Sequence, residues 1–185
     1  MQVRSSRVVL SNIALATTIC ALALGALVAY SGAATPAPAP AAKAGPHAIA
    51  TTHVLTLEGA EQAIHAAHAE AVKRSAGGAI AVVDAGGHLI ALHRLDNTFP
   101  AASTVAIEKA RTAAMFRKPT AAFEDAIKDG RHALLGVQAM TPLRGGVPIM
   151  HDGFVVGAIG VSGAHSAMED EELANVGAAA LQASN

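Results

Sequence analysis

Glu61, His65 and His68 recur at spacings of four and three residues in TLEGAEQAIHAAHAEAVKR (56–74). On a helix they share one edge of the apolar stripe made by Leu57, Ala60, Ile64, Ala67 and Ala71. Neutral imidazole is a ligand for transition metals and for haem iron. His65 and His68 are therefore candidate haem-iron ligands, and Glu61 with His65 is the non-haem iron alternative. A solvated helix edge carries the same residue types, so spacing alone leaves both readings open. A second cluster, Lys109, Arg111 and Thr112, lies in IEKARTAA (107–114). Its cations could hold the carboxylates of an anionic ligand such as haem, or simply face water.

The inventory of ligand types narrows the haem reading. Protein ligands to haem iron are His, Cys, Met or Tyr. Cys20 and Tyr30 are the sole residues of their types, and both fall in the apolar N-terminal stretch. The folded part must use His or Met. All nine histidines follow that stretch; His65, His68, His93 and His132 sit among predicted elements, whereas His47 and His53 are in or near a Pro/Ala spacer. The segment HDGFVVGAIGVSGAHS (151–166) has the composition of a phosphate cradle or nucleophile turn but fails both on spacing. Its glycines run G-x-x-G-x-x-G within and just after a strand pattern, and Ser162 lacks the strand–turn–helix setting of a nucleophile. Glycines that admit close backbone approach explain it better. The acids Glu169–Glu172 suit the dipole of a helix start as well as they suit a cation.

These residues must be positioned by a small set of elements. Thr56 can cap a helix to about Arg74, ended by Gly77-Gly78. AIAVV (79–83) and HLIALHRL (88–95) flank Asp84-Ala-Gly-Gly, a hairpin whose first strand is apolar on both faces. Ser103 can cap a helix to Phe116, and Pro119-Thr120 opens another that closes at Gly130. Residues 131–144 fit a short helix and an irregular segment. A second hairpin spans 147–161, and Ser166 with Glu169 forms a capping box for a last helix to about Gln182. Helix, two strands, helices, two strands, helix is an α+β order.

The first 33 residues read as an export signal: Arg4 and Arg7, then Val8 to Tyr30 without a charge, then Ser31-Gly32-Ala33 before a cleavage point at Ala34. Residues 34–53 form a Pro/Ala-rich spacer, and the domain occupies 54–185. This organisation implies a periplasmic or secreted domain that touches the membrane only through the leader, if uncleaved. Of the 13 Lys+Arg, 11 remain after Arg4 and Arg7 are removed, against 14 Asp+Glu. With no basic run and 3% aromatic residues, nucleic-acid binding is disfavoured. Without cysteine after the leader, thiol chemistry and disulfides are excluded from the domain.

Three segments together resemble one family. VVDAGGHLIALHRLD (82–96), IEKARTAA (107–114) and PIMHDGFVVGAIGVSGA (148–164) are similar, in order and spacing, to the signature segments of the GlcG/HbpS-like, haem-degrading domain family, across about residues 55–183. Leu95 stands where the family pattern has Met, Ala164 where it has a second glycine, and His165 follows as an additional imidazole. The resemblance implies a profilin-like fold with an antiparallel five-stranded sheet packed between helices, assembly into homo-oligomers, and a small-ligand pocket. It implies an exported haem-binding protein that sequesters, senses or slowly degrades haem, with His65 or His68 on the iron and Lys109, Arg111 and Thr112 at the porphyrin periphery. The alternative is a non-catalytic module that binds a corrinoid, an organic acid or a partner.

Overall fold

The computed structural model describes residues 51–182. The predicted leader, almost all of the spacer, and His47 lie outside the described residues. The elements in chain order are α1 (Leu57–Lys73), β1 (Ala79–Asp84), β2 (Leu89–Arg94), α2 (Ala101–Phe116), α3 (Ala121–Lys128), a 3-10 turn (His132–Gly136), β3 (Gly146–His151), β4 (Phe154–Ser162) and α4 (Ala167–Gln182). The α+β order read from the sequence is the order observed.

Local chemistry accounts for most boundaries. Thr56 Oγ1 accepts the Gly59 N–H at 3.1 Å and so caps α1. The helix stops earlier than its glycines suggest: Ser75 takes the left-handed conformation (φ 53°), and the Ala76 N–H returns to the Ala71 carbonyl. α2 starts at Ala101, two residues before the expected Ser103 cap, because Pro100 already holds helical φ and ψ. The β1–β2 turn is organised by Asp84, whose Oδ1 accepts the N–H groups of Gly86 and His88 at 2.8 and 2.9 Å. Burial pushes the Asp84 carboxyl up, but these His88 and Gly86 donors outweigh it and hold the group below its ordinary value. At the β3–β4 turn Asp152 and Gly153 both have positive φ, the signature of a type I′ hairpin.

The strands form one antiparallel sheet in the order β2-β1-β4-β3. It has four strands, not the five expected. Among the described residues no further segment is available for pairing. Residues 51–56 lead into α1 outside the sheet. Residues 137–145 spend N–H groups elsewhere, Met140 on the Val137 carbonyl and Thr141 on Thr112 Oγ1.

Central β1 is covered on both sides, as its unbroken apolar run predicts. Ile80 and Val82 join Ile159 and Val161 of β4 in a core closed by Ile64 and Ala67 of α1 and by Leu173 and Ala174 of α4. Ala79, Ala81 and Val83 point the other way, to the alanines of α2. That second layer is thin. A Cβ on Gly160 would lie 2.1 Å from the Ala106 carbonyl oxygen and 2.6 Å from the Ala110 nitrogen. The helix backbone rests directly on β4, which is why this strand needs glycine there. Gly160→Ala should force α2 off the sheet and lower the unfolding free energy by roughly 1–3 kcal/mol. Gly136→Ala, with nothing within 4 Å of the new methyl, should stay within about 0.5 kcal/mol. Urea unfolding of the two variants measures the difference.

Candidate functional site

The antiparallel register decides where the histidines go. His93 of β2 pairs with Ile80 of β1, so its side chain stands on the face covered by α1 and α4. There it meets α1. His93 Nε2 lies 3.2 Å from Glu61 Oε2 and His65 Nε2 lies 3.9 Å from the same oxygen. The His65 and His93 ring centroids are 5.6 Å apart, and the His68 ring stands edge-on to His93 at 6.4 Å. Two members of the α1 pattern, Glu61 and His65, therefore meet at His93, whereas the third, His68, touches only the His93 ring.

β2 is the edge of the sheet, and beside it lies an open cleft of about 1000 Å³. His68 and His93 form part of its wall, with Val72, Leu92, Leu95 and Phe99 supplying apolar surface and Arg94 a cation. Asp96 adds a carboxylate, and Ser75, Asn97 and Thr98 add neutral polar groups. The residues after β2 are held in place by Thr98, whose Oγ1 accepts the Gly78 N–H at 2.9 Å. His65 is outside this lining and is mostly exposed.

The cations grouped with these histidines by sequence are elsewhere. Lys109, Arg111 and Thr112 belong to α2, on the opposite face of the sheet, so one chain does not bring the two sets to one ligand. Lys109 is 3% exposed. Its Nζ donates to Asp170 Oδ2 at 2.8 Å and to the Val161 carbonyl at 2.9 Å. Thr112 is buried, donating to the Glu108 carbonyl and accepting from the Thr141 N–H, each at 2.8 Å. Arg111 donates from Nε to the Gly87 carbonyl at 3.1 Å and pairs with Glu108 at 2.6 Å. These are structural fastenings of α2: to α4 and the end of β4, to the segment before β3, and to the β1–β2 turn.

The acidic start of α4 resolves in the same way. Glu169 bonds His165, Asp170 bonds Lys109, Glu171 bonds Arg144 and Glu172 bonds Arg74. Each acid has a cation or imidazole partner, so the run is a set of ties rather than a shared cation site. Ser166 Oγ accepts the Glu169 N–H at 3.1 Å as expected. The return half of the capping box is replaced: Glu169 accepts the His165 N–H and ring nitrogen at 2.9 and 2.7 Å. The His165 backbone N–H, then its ring, hold the Glu169 carboxyl below its ordinary value. His165 is thus occupied as a cap partner. His132 is exposed on the 3-10 turn, away from α1. His53 stacks edge-on against His151 at 4.9 Å.

Sequence reasoning missed two features of this site: the meeting of Glu61 with His93, and the wall formed by Arg94 to Phe99. Their signal was the alternation in HLIALHRL, which puts His93 and Leu92 on opposite faces of an edge strand. Which face met α1 required the fold.

One antiparallel sheet between helical layers, with a histidine-lined cleft at its free edge, defines an α+β domain of a particular type. The chain belongs to the HbpS-like family: the family description "Haem degrading protein HbpS-like" matches residues 55–179. Protein GlcG of Escherichia coli K12 is 43% identical over 112 residues, covering 60% of this chain and 84% of GlcG. A double mutant of HbpS from Streptomyces reticuli superposes with a TM-score of 0.67 at 35% identity, covering 78% of this chain and 97% of that one. The PduOC:heme complex is similar with a TM-score of 0.64 at 25% identity, covering 69% and 95%.

The buried Lys109–Asp170 pair supplies a test of the separation between fastenings and site. Lys109→Met strands a carboxylate in the interior and should cost about 3–5 kcal/mol. Adding Asp170→Leu should restore part of that loss, because both charges are then gone. Denaturant unfolding of the two single variants and the double variant reads the coupling.

Proposed function

We propose that this chain is an exported haem-binding protein that sequesters, senses or slowly degrades haem, working as a homo-oligomer in the periplasm or outside the cell. The observation that carries the reading is the cleft beside β2, where His68 and His93 stand in one wall with apolar side chains and an arginine. Its volume is at the upper end of the roughly 300–1,000 Å³ typical of small-molecule sites. The fit to haem is chemical as well. Imidazole is a usual iron ligand, Val72, Leu92, Leu95 and Phe99 match the apolar ring, and Arg94 suits a propionate. The family membership and the similarity to a protein captured with heme support the same ligand.

His68 is the iron ligand in this reading, and His93 is the second imidazole within reach of the cleft. His65 yields its place because it faces Glu61 outside the wall. Haem itself supplies the iron–oxygen chemistry that degradation requires; the chain supplies binding, orientation and control of access. Lys109, Arg111 and Thr112 act on the ligand only indirectly, by holding α2 and the β1–β2 turn.

Haemin titration of the full chain, followed at the Soret band, tests this. The unaltered protein should give a saturable Soret shift. His68→Ala should weaken binding by at least about tenfold, a loss of 1.4 kcal/mol, while His65→Ala should leave it nearly unchanged. An intact protein without a Soret shift would remove the function. A corrinoid or organic acid co-purifying from the native compartment would favour the non-catalytic binding module instead.

A further inference from the structure

We infer that Glu61, His65 and His93 form a binding site for one divalent first-row transition-metal ion, adjoining the cleft and sharing His93 with its wall. Among the described residues these three form a group whose ligand atoms all lie within 4.8 Å of one another. The two imidazoles address the same carboxylate oxygen. His93 Nε2 is 3.2 Å from Glu61 Oε2, and His65 Nε2 is 3.9 Å from it. Ligands bound to a tetrahedral ion at about 2.0–2.1 Å stand about 3.3 Å apart. One edge of that polyhedron is already present. The Glu61–His65 edge closes by about half an ångström and the His65–His93 edge, within 4.8 Å as it stands, by at most about 1.5 Å; rotation of the exposed His65 ring shortens both.

The frame behind these atoms is rigid where it must be. Glu61 and His65 lie one turn apart on α1, well inside a helix capped at Thr56. His93 comes from β2, which is fixed by its ladder to β1. Two elements thus hold three ligands, and their backbones need no ordering on binding. The donor set is selective. Two nitrogens and one oxygen suit zinc, iron(II), cobalt(II) or nickel(II), whereas calcium and magnesium call for oxygen ligands. Three protein ligands leave a coordination position for water or a small anion, and the exposure of His65 gives the ion a path in.

His93 belongs to both neighbourhoods. Its Nε2 turns toward Glu61, and its ring also lines the cleft wall beside His68. His68 is not a ligand of the proposed ion, which makes the two sites separable by mutation.

The test uses the metal-stripped full chain without haem. Zn(II) is titrated calorimetrically, and Co(II) binding is followed by its visible absorption. The expected result is one tight site whose affinity falls at least about tenfold in each of Glu61→Gln, His65→Ala and His93→Ala. His68→Ala should keep the Co(II) spectrum and stay within about twofold in affinity. His65→Ala replaces an exposed side chain, so its fold is secure and its result decisive. Three results would overturn the assignment: full affinity in folded His65→Ala, an equal loss in His68→Ala, or Zn(II) binding in the unaltered chain no better than about 1 mM.

Discussion

α2 lies on the sheet at a separation that only glycine permits, and the remaining architecture follows from that contact. Gly160 of β4 and Gly146 of β3 face each other across the ladder. A Cβ on either would strike the α2 backbone, at the Ala106 carbonyl in one case and the Lys109 carbonyl at 2.3 Å in the other. With the backbone this close, the layer needs only alanine side chains, and a chain with 3% aromatic residues can still fill its interior. The larger side chains, Ile64, Ile80, Ile159 and Leu173, gather on the other face. There the sheet is spanned by two helices. α1 reaches the edge strand, and its histidines end beside that edge rather than beneath the sheet.

The same contact explains the fate of the cations. Lys109 sits where α2 crosses β3, and its side chain can only reach the end of β4 and the first turn of α4. There Asp170 and the Val161 carbonyl satisfy it. The pair ties the two helical layers together past the end of β4. Gly145 makes room for it, since a Cβ there would stand 2.9 Å from the Asp170 Cβ and 3.1 Å from Lys109 Nζ. A charged residue that looks available for a ligand in a helical pattern is consumed by the closeness of the helix to the sheet.

Much of the fold was legible because its signals are local. Asp-Ala-Gly-Gly and His-Asp-Gly mark the two hairpins, and the unbroken AIAVV run identifies a strand covered on both faces. Thr56 and Ser166 bond as helix caps. The strand count was overestimated because it came from family resemblance, not from an alternating segment that could form a fifth strand. Pro100 set a helix start that the Ser103 cap signal obscured. The site was half legible. The spacing of Glu61, His65 and His68 reveals a common helix edge, but Lys109 and Asp170 are 61 residues apart in sequence, and no local pattern announces their pairing. The placement of His93 depended on register: a slip of one residue in the β1–β2 ladder would turn it to the α2 face.

The central claim is that the ligand site lies at the β2 edge, beside α1, and not on the α2 face. Side-chain histidine and backbone amide NMR spectra, recorded as ferric haem is added, test this directly through paramagnetic broadening. The account predicts that the His68 and His93 ring signals and the Leu95 and Phe99 amides broaden first, while the amides of Arg111 and Thr112 remain sharp. Early broadening at Arg111 and Thr112, with His68 and His93 unaffected, would contradict it.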